Sequence, residues 1–159
     1  MKNILLVSSS GGHFNQLKIL ESNLSDQFNC ITITESNDYS QKHIINSKVK
    51  NYKFKKFSRY NNKFTSFIYI LKLIVTARKI LKVHQIDCVI STGAGFSLPF
   101  LIMAKLMNCK TVFFESFAKI SSPTLTGRLC YKFVDRFYVQ WEDMLKVYPS
   151  AIFKGGIYE

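Results

Sequence analysis

Acidic residues are scarce in this chain, which has 10 Asp and Glu against 22 Lys and Arg and a formal charge of +12. The stretch from Tyr39 to Ile86 contains no acidic residue, although it holds more than half of the basic ones. A surplus of this size indicates an anionic partner or surface, and the candidates are nucleic acid, anionic lipid and polyphosphate-bearing substrates.

Cysteine is also sparse, and the four cysteines form no C-x-x-C motif. This spacing argues against a zinc site or a disulfide framework and favours reduced, buried thiols. The most apolar stretch, Phe64 to Ala77, is interrupted by Lys72 and is shorter than the ~20 residues that cross a bilayer. The first residues lack the apolar region and cleavage site of a signal peptide.

No internal repeat, low-complexity tract or linker rich in proline and glycine divides the 159 residues. We therefore expect a single domain over residues 1–159, located in the cytoplasm and without a transmembrane helix, a metal or a cofactor.

Strand-like and helix-like patterns alternate along the chain. The predicted strands are Ile4–Val7, Asn29–Glu35, a half-exposed edge strand over Val49–Phe57, Cys88–Ile90, Thr111–Phe114 and Phe137–Val139, and Ala151–Phe153 closes the chain. The predicted helices are Phe14–Leu24, Asn62–His84, Phe96–Met107, Thr126–Val134 and Trp141–Val147, and Ser36–Ser47 is predicted as a loop. Such alternation predicts an α/β fold, a Rossmann-like parallel sheet with helices on both faces.

Two glycines stand where the first predicted strand meets the first helix, in the sequence Ser8-Ser9-Ser10-Gly11-Gly12-His13. A helix start offers free backbone N–H groups to an anion, and glycine lets a ligand approach them closely. His13 adds a titratable ring beside whatever binds. The same residues also fit a tight turn with a helix-capping histidine.

Two later strands are followed by similar loops, Ser91–Ser97 and Glu115–Phe117. The carboxyl ends of parallel strands form the ligand crevice of an open sheet, so the three loops are expected to share one site. Two roles are open for Glu115, that of a base or hydroxyl-orienting group and that of a cap or ion-pair partner of Lys119 or Arg128. Dinucleotide binding is a minor alternative: Glu35 ends the second strand, but the G-x-G-x-x-G pattern lacks its third glycine.

These motifs resemble a known family. Gly11–His13, Ser91–Pro99 and Phe114–Ser116 are similar to the N-terminal half of GT-B glycosyltransferases of the MurG type. Phe137–Glu142 and Tyr148–Phe153 resemble the bacterial PssD/EpsE-type polysaccharide-biosynthesis proteins. Those proteins are relatives of the membrane-recruiting auxiliary subunit of the eukaryotic two-subunit UDP-GlcNAc transferase that builds dolichol-linked oligosaccharide. The resemblance covers essentially the whole chain.

The resemblance implies a domain equivalent to the N-terminal, acceptor-side domain of a GT-B enzyme, and a split glycosyltransferase of capsule or exopolysaccharide biosynthesis. This chain would bind an undecaprenyl-diphosphate-linked saccharide, and a separate partner chain would bind the UDP-sugar, so the chain alone would have little or no activity. The catalytic candidates are His13 and Glu115. The residues implied in binding the acceptor diphosphate are Gly11, Gly12, His13, Gly93, Gly95, Ser97 and Ser116.

The acid-free stretch from Tyr39 to Ile86 contains a candidate membrane-binding surface. Its lysines and arginines alternate with aromatic and aliphatic residues, which fits a core helix with a solvated basic rim, a nucleic-acid surface or an interfacial helix. We prefer the interfacial helix, because no nucleic-acid motif is present and the implied acceptor is lipid-linked. The predicted membrane surface comprises Lys53, Lys55, Lys56, Arg59, Lys63, Phe64, Phe67 and Leu71.

The eukaryotic relatives carry an N-terminal membrane helix, whereas Met1 here leads directly into the first predicted strand. We therefore expect peripheral attachment at the inner face of the plasma membrane. A self-contained nucleotide- or nucleic-acid-binding module is the alternative from a different functional class.

Overall fold

The computed structural model describes residues 1–36, 50–55 and 62–158. Its strands are β1 Asn3–Ser8, β2 Asn29–Ser36, β3 Lys50–Lys55, β4 Cys88–Gly93, β5 Lys110–Phe114, β6 Arg136–Val139 and β7 Ile152–Phe153. Its α-helices are α1 Gly12–Leu24, α2 Lys63–Val83, α3 Leu98–Leu106 and α4 Leu125–Cys130, with 3-10 turns at Gly95–Ser97 and Glu142–Lys146.

The strands form one sheet in the order β3-β2-β1-β4-β5-β6-β7, and every pairing is parallel. The chain therefore starts in the middle, runs to the β3 edge and then returns to place β4 beside β1. At this reversal the connections leave β1 and β4 in opposite directions, which opens a crevice at their carboxyl ends. The parallel α/β sheet and the edge position of the third strand are confirmed.

Successive residues of each strand point to opposite faces of the sheet. In β1, Leu5 and Val7 belong to the core cluster that α2 and α3 cover, whereas Ile4 and Leu6 pack with Leu17 of α1 on the other face. Both faces of the sheet are thus covered by helices, as the alternating pattern predicted.

Helix α2 is half core and half surface. Asn62 caps it by accepting a hydrogen bond from the Thr65 amide at 2.8 Å, and its later turns bury Leu73, Ala77, Ile80 and Leu81 against the sheet. The first turns instead carry exposed apolar side chains. None of the helices in residues 1–36 and 62–158 combines the length and the apolar character needed to span a bilayer.

Several predicted boundaries differ from the structure. The helix predicted over Thr126–Val134 ends at Cys130, because Lys132 and Phe133 bond to carbonyls three residues back and so continue it as turns. The helix predicted from Phe96 begins as a 3-10 turn. Ser36 lies in β2, and the rest of the loop predicted over Ser36–Ser47 falls outside the described residues.

Asp135 joins α3 to the start of β5. Its carboxylate accepts hydrogen bonds from the Thr111 amide and hydroxyl, both at 2.8 Å, and from Lys105 Nζ at 2.6 Å. Burial alone would raise the pKa of Asp135, but the bonds from Lys105 and Thr111 outweigh it and lower the pKa to about 2.

We expect Asp135→Asn to lower the free energy of unfolding by about 1 kcal/mol near neutral pH, after allowing for the partial exposure of the group. Because the folded-state pKa lies below the unfolded one, this stability is present above pH ~4 and is lost as the pH falls toward about 2. Urea unfolding at a series of pH values tests this, with exposed Asp26→Asn as the control. Parallel pH curves for the wild type and Asp135→Asn would contradict it.

Candidate functional site

The first glycine loop begins α1 at the crevice. Gly11 caps the helix with φ +88°, a conformation that glycine adopts readily, and no side chain caps the helix. The helix-capping role considered for His13 is therefore wrong. Gly11 and Gly12 are exposed, and a Cβ built on either would meet none of the described residues within 4 Å, so a ligand can approach the start of α1 closely.

The His13 ring is held between the first and second loops. Its Nδ1 lies 2.7 Å from the Thr92 carbonyl oxygen, and the Thr92 hydroxyl donates to the His13 carbonyl at 2.8 Å. A carbonyl only accepts, so Nδ1 carries the proton and Nε2 of the neutral ring holds the free lone pair. Across the described ranges, Nε2 has no hydrogen-bond partner.

Gly93 lies directly against the His13 ring. Its φ is +119°, and a Cβ added to it would lie 2.7 Å from both Cε1 and Nδ1 of His13. The predicted role of Gly93 in binding a diphosphate stays a prediction. The structure adds that its missing side chain makes room for the His13 ring.

Gly95 and Ser97 have different positions in the second loop. Gly95 is exposed, and the nearest atom to an added Cβ, Thr126 Oγ1, is 4.0 Å away. Ser97 is fully buried, and its hydroxyl donates to the Ala94 carbonyl at 2.8 Å. Gly95 therefore lies at the surface of the loop and Ser97 in its interior, and the predicted binding roles of both stay predictions.

Glu115 lies beneath the third loop, 1% exposed. Its carboxylate accepts hydrogen bonds from the Ser116 amide at 2.9 Å, the Thr124 amide and hydroxyl at 3.2 and 2.9 Å, and the Tyr148 hydroxyl at 2.8 Å. These partners replace the Lys119 or Arg128 pairing that the sequence left open. Burial and the bond to Glu115 raise the pKa of Tyr148, so the phenol remains a donor.

These donors enclose the carboxylate and hold the third loop together. The catalytic role of Glu115 stays a prediction, since a base must also reach the proton that it removes. Gly127 packs against the same cluster so closely that a Cβ would overlap Glu115 Oε2. Ser116, predicted to bind the acceptor, is half-buried at the edge of this loop.

Sequence reasoning missed Gln140, which ties the third loop to the C-terminal residues. Its buried Nε2 donates to the Glu115 carbonyl at 2.6 Å and to Gln16 Oε1 at 2.8 Å, and its Oε1 accepts from the Ile157 amide at 3.2 Å. The next residue, Trp141, donates to the Phe117 carbonyl at 2.6 Å. The only signal in the sequence was the Phe137–Glu142 motif itself.

A cavity of about 480 Å³ opens between the first two glycine loops, the end of β2 and α2. Sequence reasoning missed it too, because α2 is remote in sequence from the first and second strands. Glu35, weighed only as a ribose-binding acid, was the available signal. The cavity is lined by Ser9, Glu35, Ser66, Tyr69, Ile70, Leu73, Ala94, Gly95, Phe96 and Pro99.

Four members of the predicted membrane surface have described side chains; all four are exposed and three are apolar. Phe64, Phe67 and Leu71 are 71%, 59% and 44% exposed on α2, and Lys53 is exposed on β3. Contiguous exposed apolar area of this kind marks an interaction surface. Of the other predicted members, Lys56 and Arg59 lie outside the described residues, as do the side chains of Lys55 and Lys63. Over the same described ranges, no group of three or more His, Cys, Asp or Glu side chains is placed to hold a metal ion.

Comparisons with known proteins agree with this architecture. The chain is 35% identical over 81 residues to the UDP-N-acetylglucosamine--N-acetylmuramyl-(pentapeptide) pyrophosphoryl-undecaprenol N-acetylglucosamine transferase of Staphylococcus haemolyticus, covering 51% of this chain and 22% of that protein. It is 35% identical over 74 residues to the UDP-N-acetylglucosamine transferase subunit alg14 of Schizosaccharomyces pombe, covering 43% of this chain and 35% of that protein. The matches thus span about a fifth and about a third of these relatives.

The fold matches MurG of Acinetobacter baumannii with a TM-score of 0.76 and 14% identity, over 90% of this chain and 43% of that one. The sheet and its helices therefore have the Rossmann-type fold of the N-terminal domains of MurG and GT-B-like proteins. A family model described as oligosaccharide biosynthesis protein Alg14 like matches residues 4–157. Because that match spans nearly the whole chain, this protein belongs to the Alg14-like family of oligosaccharide biosynthesis proteins.

Proposed function

We propose that this chain is the acceptor-binding, membrane-associated subunit of a two-chain glycosyltransferase of the PssD/EpsE type. The enzyme would act in capsule or exopolysaccharide assembly at the inner face of the plasma membrane. One observation carries the proposal: the His13 ring is fixed on Gly93 and Thr92 beside an open helix start, with Nε2 as its basic atom. This arrangement suits activation of a hydroxyl next to a bound diphosphate.

In the proposed reaction, the diphosphate of an undecaprenyl-linked saccharide lies against the amide groups at Gly11 and Gly12. Nε2 of His13 takes the proton of the acceptor hydroxyl as its oxygen bonds to the anomeric carbon of the donor sugar. The bond between that carbon and the UDP oxygen breaks, and UDP leaves with the electron pair. Charge on the departing diphosphate is stabilised chiefly by the partner chain, which holds the donor.

The division into two chains is supported by the name of the fission yeast relative, which is described as a transferase subunit. The surface offered to the partner comprises the crevice and the C-terminal residues beside it. Gln140 and the Phe117–Tyr158 ring contact at 4.9 Å hold those residues against the third loop. A partner that docks there would lie directly across the crevice from His13.

Transfer assays test the two-chain proposal. This chain, a candidate UDP-sugar-binding partner chain and the mixture of the two would each be incubated with UDP-sugars and an undecaprenyl-diphosphate-linked monosaccharide. We expect little product from either chain alone and a large gain from the mixture. Full activity of one chain, or RNA binding without any transfer, would contradict the proposal and favour a self-contained binding module.

Membrane attachment is proposed to use the exposed start of α2. Apolar side chains there would enter the interface while nearby lysines contact anionic headgroups, each lysine contributing about 1 kcal/mol. We expect the double change Phe64→Ser and Phe67→Ser to weaken binding to anionic liposomes by about tenfold or more, because each ring loses its apolar burial.

Co-sedimentation with anionic and neutral liposomes measures this effect. Leu125→Ser is the matched control, since Leu125 is an equally exposed apolar residue, on α4 rather than α2. Equal binding of the wild type to both kinds of liposome would contradict the electrostatic part of the proposal. Equal loss from Leu125→Ser would contradict the assignment to α2.

A further inference from the structure

Gln140 is a buried residue at the carboxyl end of the sheet, directly after β6. The Glu115 amide donates to the Tyr138 carbonyl at 2.9 Å. Beyond that backbone bond, the Gln140 side chain supplies the next link between the two segments, because its Nε2 donates to the Glu115 carbonyl at 2.6 Å. A side-chain amide thus extends the connection between β5 and β6 into the third loop.

The same amide group also reaches α1 and the C-terminal residues. Its Nε2 donates to Gln16 Oε1 at 2.8 Å, and its Oε1 accepts from the Ile157 amide at 3.2 Å. Both hydrogens of Nε2 and the carbonyl oxygen are therefore engaged, by groups that lie 17 to 124 residues away along the chain. Because a backbone carbonyl only accepts and a backbone amide only donates, these partners fix the orientation of the Gln140 amide group.

Gln16 connects this junction to the His13 ring. It is buried and follows His13 by three positions on α1, so the two side chains are neighbours on the helix surface. The second loop holds α1 at His13, through the hydroxyl and the carbonyl of Thr92, whereas Gln140 holds it at Gln16. Two attachments fix the start of a helix in rotation as well as in position, so loss of one would let it turn about the other.

We propose that Gln140 is a positioning residue, which fixes the start of α1, and with it the His13 ring, against the third loop and the C-terminal residues. The role of the ring as a base rests on the proposed function, whereas the position of the ring does not. Since Ile157 belongs to the C-terminal surface offered to the partner chain, Gln140 joins that surface to the ring.

NMR of the imidazole groups in the full chain alone tests the position of the ring. Long-range ¹H–¹⁵N spectra report which nitrogen of a neutral ring carries the proton, and the His13 signals are those missing in His13→Ala. We expect the Nδ1–H form in the wild type, because Nδ1 faces the Thr92 carbonyl. Gln140→Met keeps the length of the side chain but removes its hydrogen bonds. It should shift the His13 ring signals and weaken the preference for that form.

Gln16→Met is the sharper variant, because it cuts the attachment to α1 and leaves the other two bonds of Gln140 in place. It should shift the same His13 signals, and it decides the outcome if Gln140→Met does not fold. Ile157→Pro removes the amide that donates to Gln140 Oε1 and should cause a smaller shift of the same signals.

Thr111→Val is the matched control. Thr111 is fully buried at the opposite end of β5, where its hydroxyl bonds to Asp135 at 2.8 Å. This variant also loses a buried hydrogen bond of the sheet, but it should leave the His13 signals unchanged. An equal shift in Thr111→Val would trace the effect to a general loss of rigidity and overturn the positioning role.

Kinetics of the two-chain enzyme give a second readout. Gln16→Met should lower kcat about tenfold or more and change KM for the acceptor little, because a displaced base loses rate rather than binding. In the His13→Ala background the same change should cost little further rate. A higher KM for the acceptor with kcat kept would contradict the assignment to His13.

Unchanged His13 signals in both Gln16→Met and Gln140→Met would overturn the positioning role and leave the proposed transfer standing. Unchanged signals in Ile157→Pro alone would overturn the link to the C-terminal residues. Shifted signals in the variants, with no transfer by the wild-type pair of chains, would overturn the proposed function and leave the positioning of the ring standing.

Discussion

Replacing His13 by alanine will lower the transfer rate of the assembled two-chain enzyme by about 10²–10⁴-fold, the usual contribution of a general base. The reason is the geometry of the ring, whose Nδ1 proton is committed to the Thr92 carbonyl at 2.7 Å. That bond orients Nε2 and leaves it as the basic atom. The measurement is kcat and KM for both substrates as a function of pH.

The two kinetic constants separate chemistry from binding. If His13 is the base, His13→Ala lowers kcat and leaves KM for the acceptor little changed. If His13 only holds the diphosphate, KM for the acceptor rises and kcat is kept. The control is His84→Gln, because His84 bonds to Tyr52 at 2.7 Å and belongs to no part of the crevice. An unchanged rate in His13→Ala would remove His13 from the mechanism.

Adding a single methyl group at Gly93 will lower the rate about 10²-fold or more, the cost of displacing a catalytic group by roughly an ångström. The new Cβ would lie 2.7 Å from two atoms of the His13 ring, so the ring must move. At φ +119° alanine also strains the backbone, by about 1–3 kcal/mol. Circular dichroism and unfolding curves will show whether the variant remains folded while the rate falls.

A double-mutant cycle supplies the control for Gly93→Ala. If the glycine acts by seating His13, the methyl group costs little further rate once the ring is absent in the His13→Ala background. Rate losses that multiply in the double variant would show instead that Gly93 acts on the ligand directly, as the sequence had predicted for it.

Much of the fold follows from local patterns. Short β-branched and apolar runs alternate with helical periodicity. This was enough to predict the parallel sheet and its edge strand, and to predict the long helix to within a residue. The glycine loops were also recognisable, because a glycine pair between a strand and a helix is a local feature of backbone geometry. The predicted helix ends were wrong where a short helix continues as turns. A helical turn and an isolated turn differ there by a single hydrogen bond, and amino-acid composition does not show that difference.

The roles of individual site residues were harder to predict from the sequence. Glu115 directly follows β5 and Glu35 is the penultimate residue of β2, so both lie at the carboxyl end of a strand and no nearby sequence feature distinguishes them. The structure encloses Glu115 among Thr124 and Tyr148, 9 and 33 residues away along the chain, and places Glu35 in an open cavity beside Tyr69. Ser97 and Gly95 are neighbours in one loop, yet Ser97 is buried and Gly95 is exposed.

The sequence by itself determined the alternation of strands and helices, the glycine loops with His13, the basic acid-free stretch and the family resemblance. These depend on spacing and composition within short segments, where propensity and periodicity act. Tertiary structure alone decided that Gly93 seats the His13 ring, that Glu115 is an internal hydrogen-bond acceptor, and that Glu35 lines a cavity with α2. Burial and hydrogen-bond partners arise from segments far apart in the chain, so they exist only once the sheet has brought those segments together.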